Sequence, residues 1–158
     1  LIDSYNLKKG DIICIALSSA DEIKAIERRF YNGERPADAP ENSISIDKPM
    51  GPGNNNDPYW NCFMIYGDIV AHEGNYIKVK ADLSSGYEMT NAQKPYETML
   101  INLNGSKIKK YIYDSEEDEV RLAENGDFVD EKSNGGVPDG KVVLRINSGE
   151  THDIVILR

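Results

Sequence analysis

Apolar residues recur along this chain with two different periods, and the change from one to the other divides it. Near the N-terminus, Asp11 to Leu17 is apolar on both faces behind a Lys9-Gly10 turn, which predicts a strand at a central position in a sheet. A helix is expected to follow. Ser19 and Glu22 have the spacing of a capping box, and Ile23, Ile26 and Phe30 recur at i, i+3 and i+7. Glu22, Lys24, Glu27 and Arg28 would then face water, and Asn32-Gly33 would end the helix.

From Tyr59 onward the period is two. Tyr59 to Tyr66 reads as a strand, and Asp68 to Ala71 with Tyr76 to Ala81 reads as a hairpin across His72-Glu73-Gly74-Asn75. The stretch 82–95 carries mixed signals and reads as loop or short helix. Tyr96 to Leu103 and Ser106 to Tyr113 flank Asn104-Gly105, a strong two-residue hairpin signal. Lys141 to Ile146 and Asp153 to Arg158 close the chain as a hairpin over a six-residue loop. Because strands come in runs, the expected class is α+β: a mostly antiparallel sheet of seven to nine strands in several hairpins, with one N-terminal α-helix packed on it.

Residues 1–158 read as a single domain, long enough to bury about 68–70% of the surface of the unfolded chain. Within it, Glu34 to Pro58 holds five of the seven prolines and the run GPGNNNDP, so it reads as a long functional or mobile insertion; Ser43 to Ile46 could add an edge strand inside it. Pairing across Asn104-Gly105 would place Met99, Ile101, Leu103, Ile108 and Ile112 on a core face. The opposite face would carry Tyr96, Thr98, Leu100, Lys109, Tyr111 and Tyr113, with Lys107 near the tip. Tyrosines beside lysines suit a sugar ring or an acidic or peptide partner, and equally suit cross-strand stabilisation of a half-exposed sheet face.

Charge changes the picture at one place. The formal net charge is −9, and the window Asp114 to Glu131 holds nine carboxylates and one Arg, hence −8. As a hairpin on Asn125-Gly126 it would set Arg121 against Asp130, Glu119 against Lys132 and Leu122 against Val129; as a short helix it would start at Ser115 and stop at Gly126. Asp114, Glu116, Glu117, Asp118 and Glu119 are the candidate ligands for a hard cation such as calcium, without an EF-hand frame. The bland alternative is a solvated charged face. With no Lys/Arg stripe, nucleic acid and anionic membrane surfaces are disfavoured as partners. The longest apolar run, Ile12 to Leu17, is far short of the ~20 residues of a spanning helix.

Cys14 and Cys62 sit in apolar runs and are expected as buried free thiols. A bond between them would need Cα atoms about 4.4–6.8 Å apart. His72 and His152 each adjoin a carboxylate in sequence, but neighbours on extended backbone point apart, so neither doublet is a dyad by itself. Tyr59-Trp60 at the loop exit is a candidate ligand platform or a core plug. Asn104-Gly105-Ser106 matches an N-glycosylation acceptor, and a chain opening on Leu1 is read as a processed product or fragment.

With no catalytic signature, the expectation is a non-enzymatic interaction or ligand-binding domain, the soluble part of an exported or membrane-tethered protein, acting outside the cytoplasm on a protein or carbohydrate partner. Its binding residues would be Tyr59, Trp60, Tyr96, Lys109, Tyr111 and Tyr113. Two rivals remain open. One is a small hydrolase or isomerase using His72, Glu73 or His152 under the 34–58 loop; the other is an acidic inhibitor or immunity-type protein using Asp114 to Glu131.

Overall fold

A computed structural model describes residues 5–40, 43–50, 62–91, 93–129, 140–147 and 149–158. Ten strands run in order: β1 (Ile12–Leu17), β2 (Ile23–Tyr31), β3 (Ile44–Ser45), β4 (Cys62–Glu73), β5 (Tyr76–Ala81), β6 (Thr98–Asn102), β7 (Lys109–Asp114), β8 (Glu119–Leu122), β9 (Lys141–Asn147) and β10 (Glu150–Leu157). Two 3-10 turns, Lys94–Tyr96 and Asn125–Phe128, lie between the strands. The described residues are therefore mostly β, without an α-helix, and no helix among them is long and apolar enough to cross a membrane.

The expected N-terminal helix is absent: Ile23–Tyr31 is a strand, antiparallel to β1, with Ile26 opposite Ile15. The supposed capping signal is a hairpin turn. Ser18 Oγ accepts from the amides of Ala20 and Glu22, and Asp21 adopts φ +58, a left-handed conformation that no helix start contains. A nine-residue helix is marginal by itself in water, whereas the strand buries Phe30 and Tyr31 and pairs the Arg28 guanidinium with Asp11, just before β1, at 3.4 Å. β1 is also displaced from its expected central position. It forms one edge of a three-stranded sheet ordered β1-β2-β3, in which the short edge strand inside the long loop does form. Within that loop Arg35 acts as a clasp, its guanidinium donating to Ser43 Oγ and to the carbonyls of Ala39 and Pro40.

The second sheet has seven strands ordered β6-β5-β4-β9-β10-β7-β8, antiparallel except for β10 beside β7. β4 is its spine. Residues 62–68 pair with β9 and residues 67–73 pair with β5, so Gly67 lies opposite both Val142 and Ala81, where one strand leaves one partner for another. A Cβ on Gly67 would sit 2.3 Å from the Lys80 carbonyl oxygen, so only glycine allows this crossing.

The two halves of the sheet fold over each other. Only residues 103–108 join β6, at one edge, to β7, five places away, and two turns shorten that link further (Gly105 N to Asn102 O and Ile108 N to Gly105 O). Lys110 Nζ reaches the Leu103 carbonyl at 3.1 Å and Asn125 Nδ2 reaches Asn104 Oδ1 at 2.6 Å, stitching the far edges together. The result is a partly open barrel. Its interior holds Ile65, Ile77, Val79, Ile101, Ile112, Leu144, Ile146, Ile154 and Ile156, with Phe128 as a plug. The three-stranded sheet covers part of the outside through a second cluster of Phe30, Ile44, Met64, Tyr66, Val143 and Leu157.

Several expected hairpins change partner. β6 and β7 do not pair across Asn104-Gly105, and neither residue takes the positive φ that a type I′ turn requires. The residues placed on the core face (Met99, Ile101, Leu103, Ile108 and Ile112) nevertheless all pack on the barrel interior. In the acidic window the reversal is at 115–118 and not at Asn125-Gly126, which instead opens a 3-10 turn with a reciprocal Glu124–Asp127 capping box. Arg121 accordingly faces Ile112, with Asp127 as its ionic partner. β9 and β10 do pair, but β10 starts at Glu150, opposite Asn147, so the connection is shorter than the expected six residues. Cys14 is a half-buried free thiol.

Candidate functional site

β7 alternates, so Ile112 points into the barrel while Lys109, Tyr111 and Tyr113 share the outer face. Pairing with β10 sets Lys109 beside Asp153, Tyr111 beside Val155 and Tyr113 beside Leu157. Pairing with β8 sets Leu122 beside Tyr111 and Val120 beside Tyr113. The sheet thus gathers Tyr111, Val120 and Leu122 into one apolar outer strip with Lys109 at its end, bordered by Val155, which packs with Tyr113 on the cluster around Phe30. Its exposure is high at the margin: Leu122 is 73% and Val120 53% accessible.

The candidate residues divide. Tyr113 belongs to the cluster beneath the three-stranded sheet; a Cβ on Gly10 would come within 2.9 Å of its ring, so this tyrosine is structural. Tyr96 lies apart on the Lys94–Tyr96 turn, packed on the barrel interior near Gly149. Tyr59 and Trp60 lie outside the described residues. Tyr111 and Lys109 are the members left on the open strip.

The acidic turn is organised by its own carboxylates. Asp114 Oδ1 accepts from the amides of Glu116 at 3.0 Å and Glu117 at 3.3 Å, an arrangement that closes the turn without a metal. Asp118, at φ +50, is held by Lys9 Nζ through its carboxylate at 2.8 Å and its carbonyl at 2.7 Å. Glu116, Glu117 and Glu119 stay exposed. Among the described residues no three His, Cys, Asp or Glu side chains converge to hold a metal ion. Behind the turn, Arg121 grips Asp127 with two bonds of 2.8 and 2.9 Å, and this hydrogen bonding holds the Asp127 carboxyl below its usual range.

Hydrogen-bond parity shows which edges are open. On β8, the bond from Ala123 N to Lys110 O makes Arg121 and Glu119 the residues that exchange with β7, leaving the N–H and C=O of Val120 and Leu122 directed outward, where the Leu122 carbonyl accepts from the Arg121 guanidinium at 3.2 Å. On β6, the bonds from Ala81 N to Glu97 O and from Leu103 N to Asn75 O turn the odd residues toward β5. Thr98, Leu100 and Asn102 therefore direct their backbone groups away from the sheet, and Leu100 is 71% accessible. Cavities lie on both sides of Leu100. One of about 550 Å³ is on the outer face, bordered by Ala71, Tyr76 and Lys78; one of about 390 Å³ lies against Met99, Ile101, Lys107 and Glu150. Of the two edges of the smaller sheet, β1 and β3, β1 exposes Ile15 and Leu17.

The sequence reading placed Leu100 beside the tyrosines but missed Val120 and Leu122 as surface residues. An apolar residue in an alternating run signals burial, and only the identity of a strand's neighbours reveals that it ends the sheet. The histidines lie on strands that do not pair: His72 faces Ile77 near the end of β4, while His152 lies in the bulge near the start of β10. Comparisons with protein-family models, with curated proteins and with solved structures find no match to this chain.

Proposed function

We propose that this chain is a non-enzymatic protein-interaction domain that takes up an extended polypeptide strand along an open sheet edge. The observation that carries the reading is the coincidence of exposed aliphatic side chains with outward-facing backbone groups at Leu100 on β6 and at Val120 and Leu122 on β8. Edge strands are ordinarily protected by charge, proline or covering loops, because unpaired N–H and C=O groups recruit other strands. Here the central outward residues of both edges are aliphatic. Main-chain bonding would supply affinity, and the cavities on either side of β6 would accept alternate side chains of the guest, which gives selectivity. Tyr111 extends the β8 surface with a ring whose hydroxyl can meet a polar group.

The test is a display selection of short peptides against the domain, followed by calorimetry. Sequences alternating apolar and polar residues should emerge with affinities of about micromolar order. Val120→Pro and Thr98→Pro each delete an outward N–H without removing a bond to the neighbouring strand, so one or both should abolish binding while the melting temperature holds. Selection that enriches nothing, or binders indifferent to both prolines and to Lys at positions 100 and 122, would remove the proposal.

A further inference from the structure

Where the three-stranded sheet ends over the outer face of the large one, a cavity of about 260 Å³ remains between them. Asn32, just after β2, and Ile46, just after β3, border it from the smaller sheet. Tyr66 on β4, Lys141 on β9, Leu157 on β10 and Tyr113 on β7 border it from the larger one, where Lys141 pairs with Leu157 and Leu157 with Tyr113. Ser115 and Arg158 close the end beside the acidic turn. We infer that this cavity binds a small molecule carrying an oxyanion, a carboxylate or a phosphate, on an apolar body.

The charge of the walls is the first support. In a chain of net charge −9, no carboxylate borders this cavity among the described residues, and its polar groups are amide, hydroxyl, ammonium and guanidinium donors. The carboxylates nearby are already matched. Asp68 and Asp82 accept from Lys141 at 2.8 and 3.0 Å, Lys9 holds Asp118, and Arg121 engages both oxygens of Asp127. Lys141 is neutralised by its two partners, so Arg158 is the cation with capacity to spare. Its guanidinium approaches Asp127 only to 3.7 Å, beyond hydrogen-bond reach, and makes no hydrogen bond among the described residues. A guanidinium fork fits a carboxylate or a phosphate with two parallel bonds.

Tyr66 is the second support. It is only 5% accessible, yet its hydroxyl makes no hydrogen bond among the described residues. Buried polar groups are nearly always paired, and a ligand oxygen in the cavity would supply the missing acceptor. Burial raises the pKa of this phenol, so it keeps its proton and remains a donor at neutral pH. The walls are also set in advance. Asn32 is tied through its backbone N–H to Asp11 and through its side-chain amide to the Lys9 carbonyl, and a Cβ on Gly10 would meet both Asn32 and Tyr113 within 2.9 Å. Such preorganisation lowers the cost of binding. The rings of Tyr66 and Tyr113, with Ile46 and Leu157, provide the apolar surface, and the volume lies just under the roughly 300–1,000 Å³ of drug-sized sites. Neither β6 nor β8 contributes to it, so this site is independent of strand uptake at the edges.

The test is a titration of the full chain, at fixed ionic strength, with benzoate and with phenyl phosphate, using benzamide as the uncharged isostere and amide shifts in two-dimensional NMR as the readout. At least one anion should saturate with a Kd of about millimolar order, its shifts centred on Asn32, Tyr66, Tyr113 and Arg158. Which of the two binds more tightly distinguishes a carboxylate site from a phosphate site. Benzamide should bind at least about tenfold more weakly, and Arg158→Gln should weaken the anion by a similar factor. Tyr66→Phe should weaken it about three- to tenfold at an unchanged melting temperature. Should either variant fail to fold, Arg158→Lys, which keeps the charge but loses the fork, serves in its place and should also bind more weakly. Absence of saturation with both anions, shifts centred elsewhere, benzamide binding as tightly as benzoate, or an affinity unmoved by these substitutions would each overturn the inference.

Discussion

At the level of single residues the fold is most sensitive where one side chain or its absence permits a crossing. Gly67→Ala should destabilise by about 1–3 kcal/mol, since the new methyl meets the Lys80 carbonyl and a backbone cannot step aside as a flexible side chain would. Chemical denaturation checks it; an unchanged midpoint would mean β4 crosses between its partners differently. Phe128, fully buried as the barrel plug, should cost about 3–5 kcal/mol on replacement by Ala. Asp127 adds a pH dependence. Its folded-state pKa is depressed, first by the hydrogen bonds from Arg121, so its contribution is fully present above the unfolded value near 3.9 and is lost as pH falls through the lower folded value. Thermal unfolding of Asp127→Asn should accordingly lie a few degrees below wild type at neutral pH and converge with it below about pH 4. Curves that stay parallel through acid would show that the carboxylate matters only through shape.

Among the elements, the three-stranded sheet should be the first to open. It is bound to the barrel through the smaller cluster around Phe30, while β4, β9 and β10 lie in the middle of the large sheet with neighbours on both sides. Native-state hydrogen exchange should therefore show lower opening free energies for β1 and β2 amides than for β9, and Phe30→Ala should widen that gap. Equal protection throughout would make the molecule one cooperative unit. The same elements show what local pattern can and cannot decide. Ile23, Ile26 and Phe30 satisfy helical spacing, yet an irregularity in the β1–β2 register at Arg29 sets Phe30 on the face of Ile12, opposite to that of Ile26, and the cover that Phe30 finds on β4 and β9 decides between the two. Asn104-Gly105 carries the chemistry of a tight hairpin, but β6 and β7 each find another partner. Alternation identified the core residues of both strands because it depends on which face is apolar, and it is blind to which strand lies alongside.

For the whole molecule, charge and topology act together. The acidic window is legible from sequence alone, and its location at the β7–β8 turn, beside an open edge, is a product of the fold. Tyr111 and Lys109 were identifiable as surface candidates because they alternate with Ile112; Val120 and Leu122 were not, because four residues between two turns show no period long enough to reveal a face.

What the sequence determined by itself was the inward side of β6 and β7, the strongly β character beyond Tyr59, and the concentration of negative charge. These follow from residue spacing and formal charge, which are properties of neighbours in the chain. The strand order, the roll of the sheet about Gly67, the conversion of an apparent helix to β2 and the exposure of Leu100, Val120 and Leu122 were decided by tertiary structure. Each depends on contacts between residues far apart in sequence, where burial of a shared apolar face outweighs local preference.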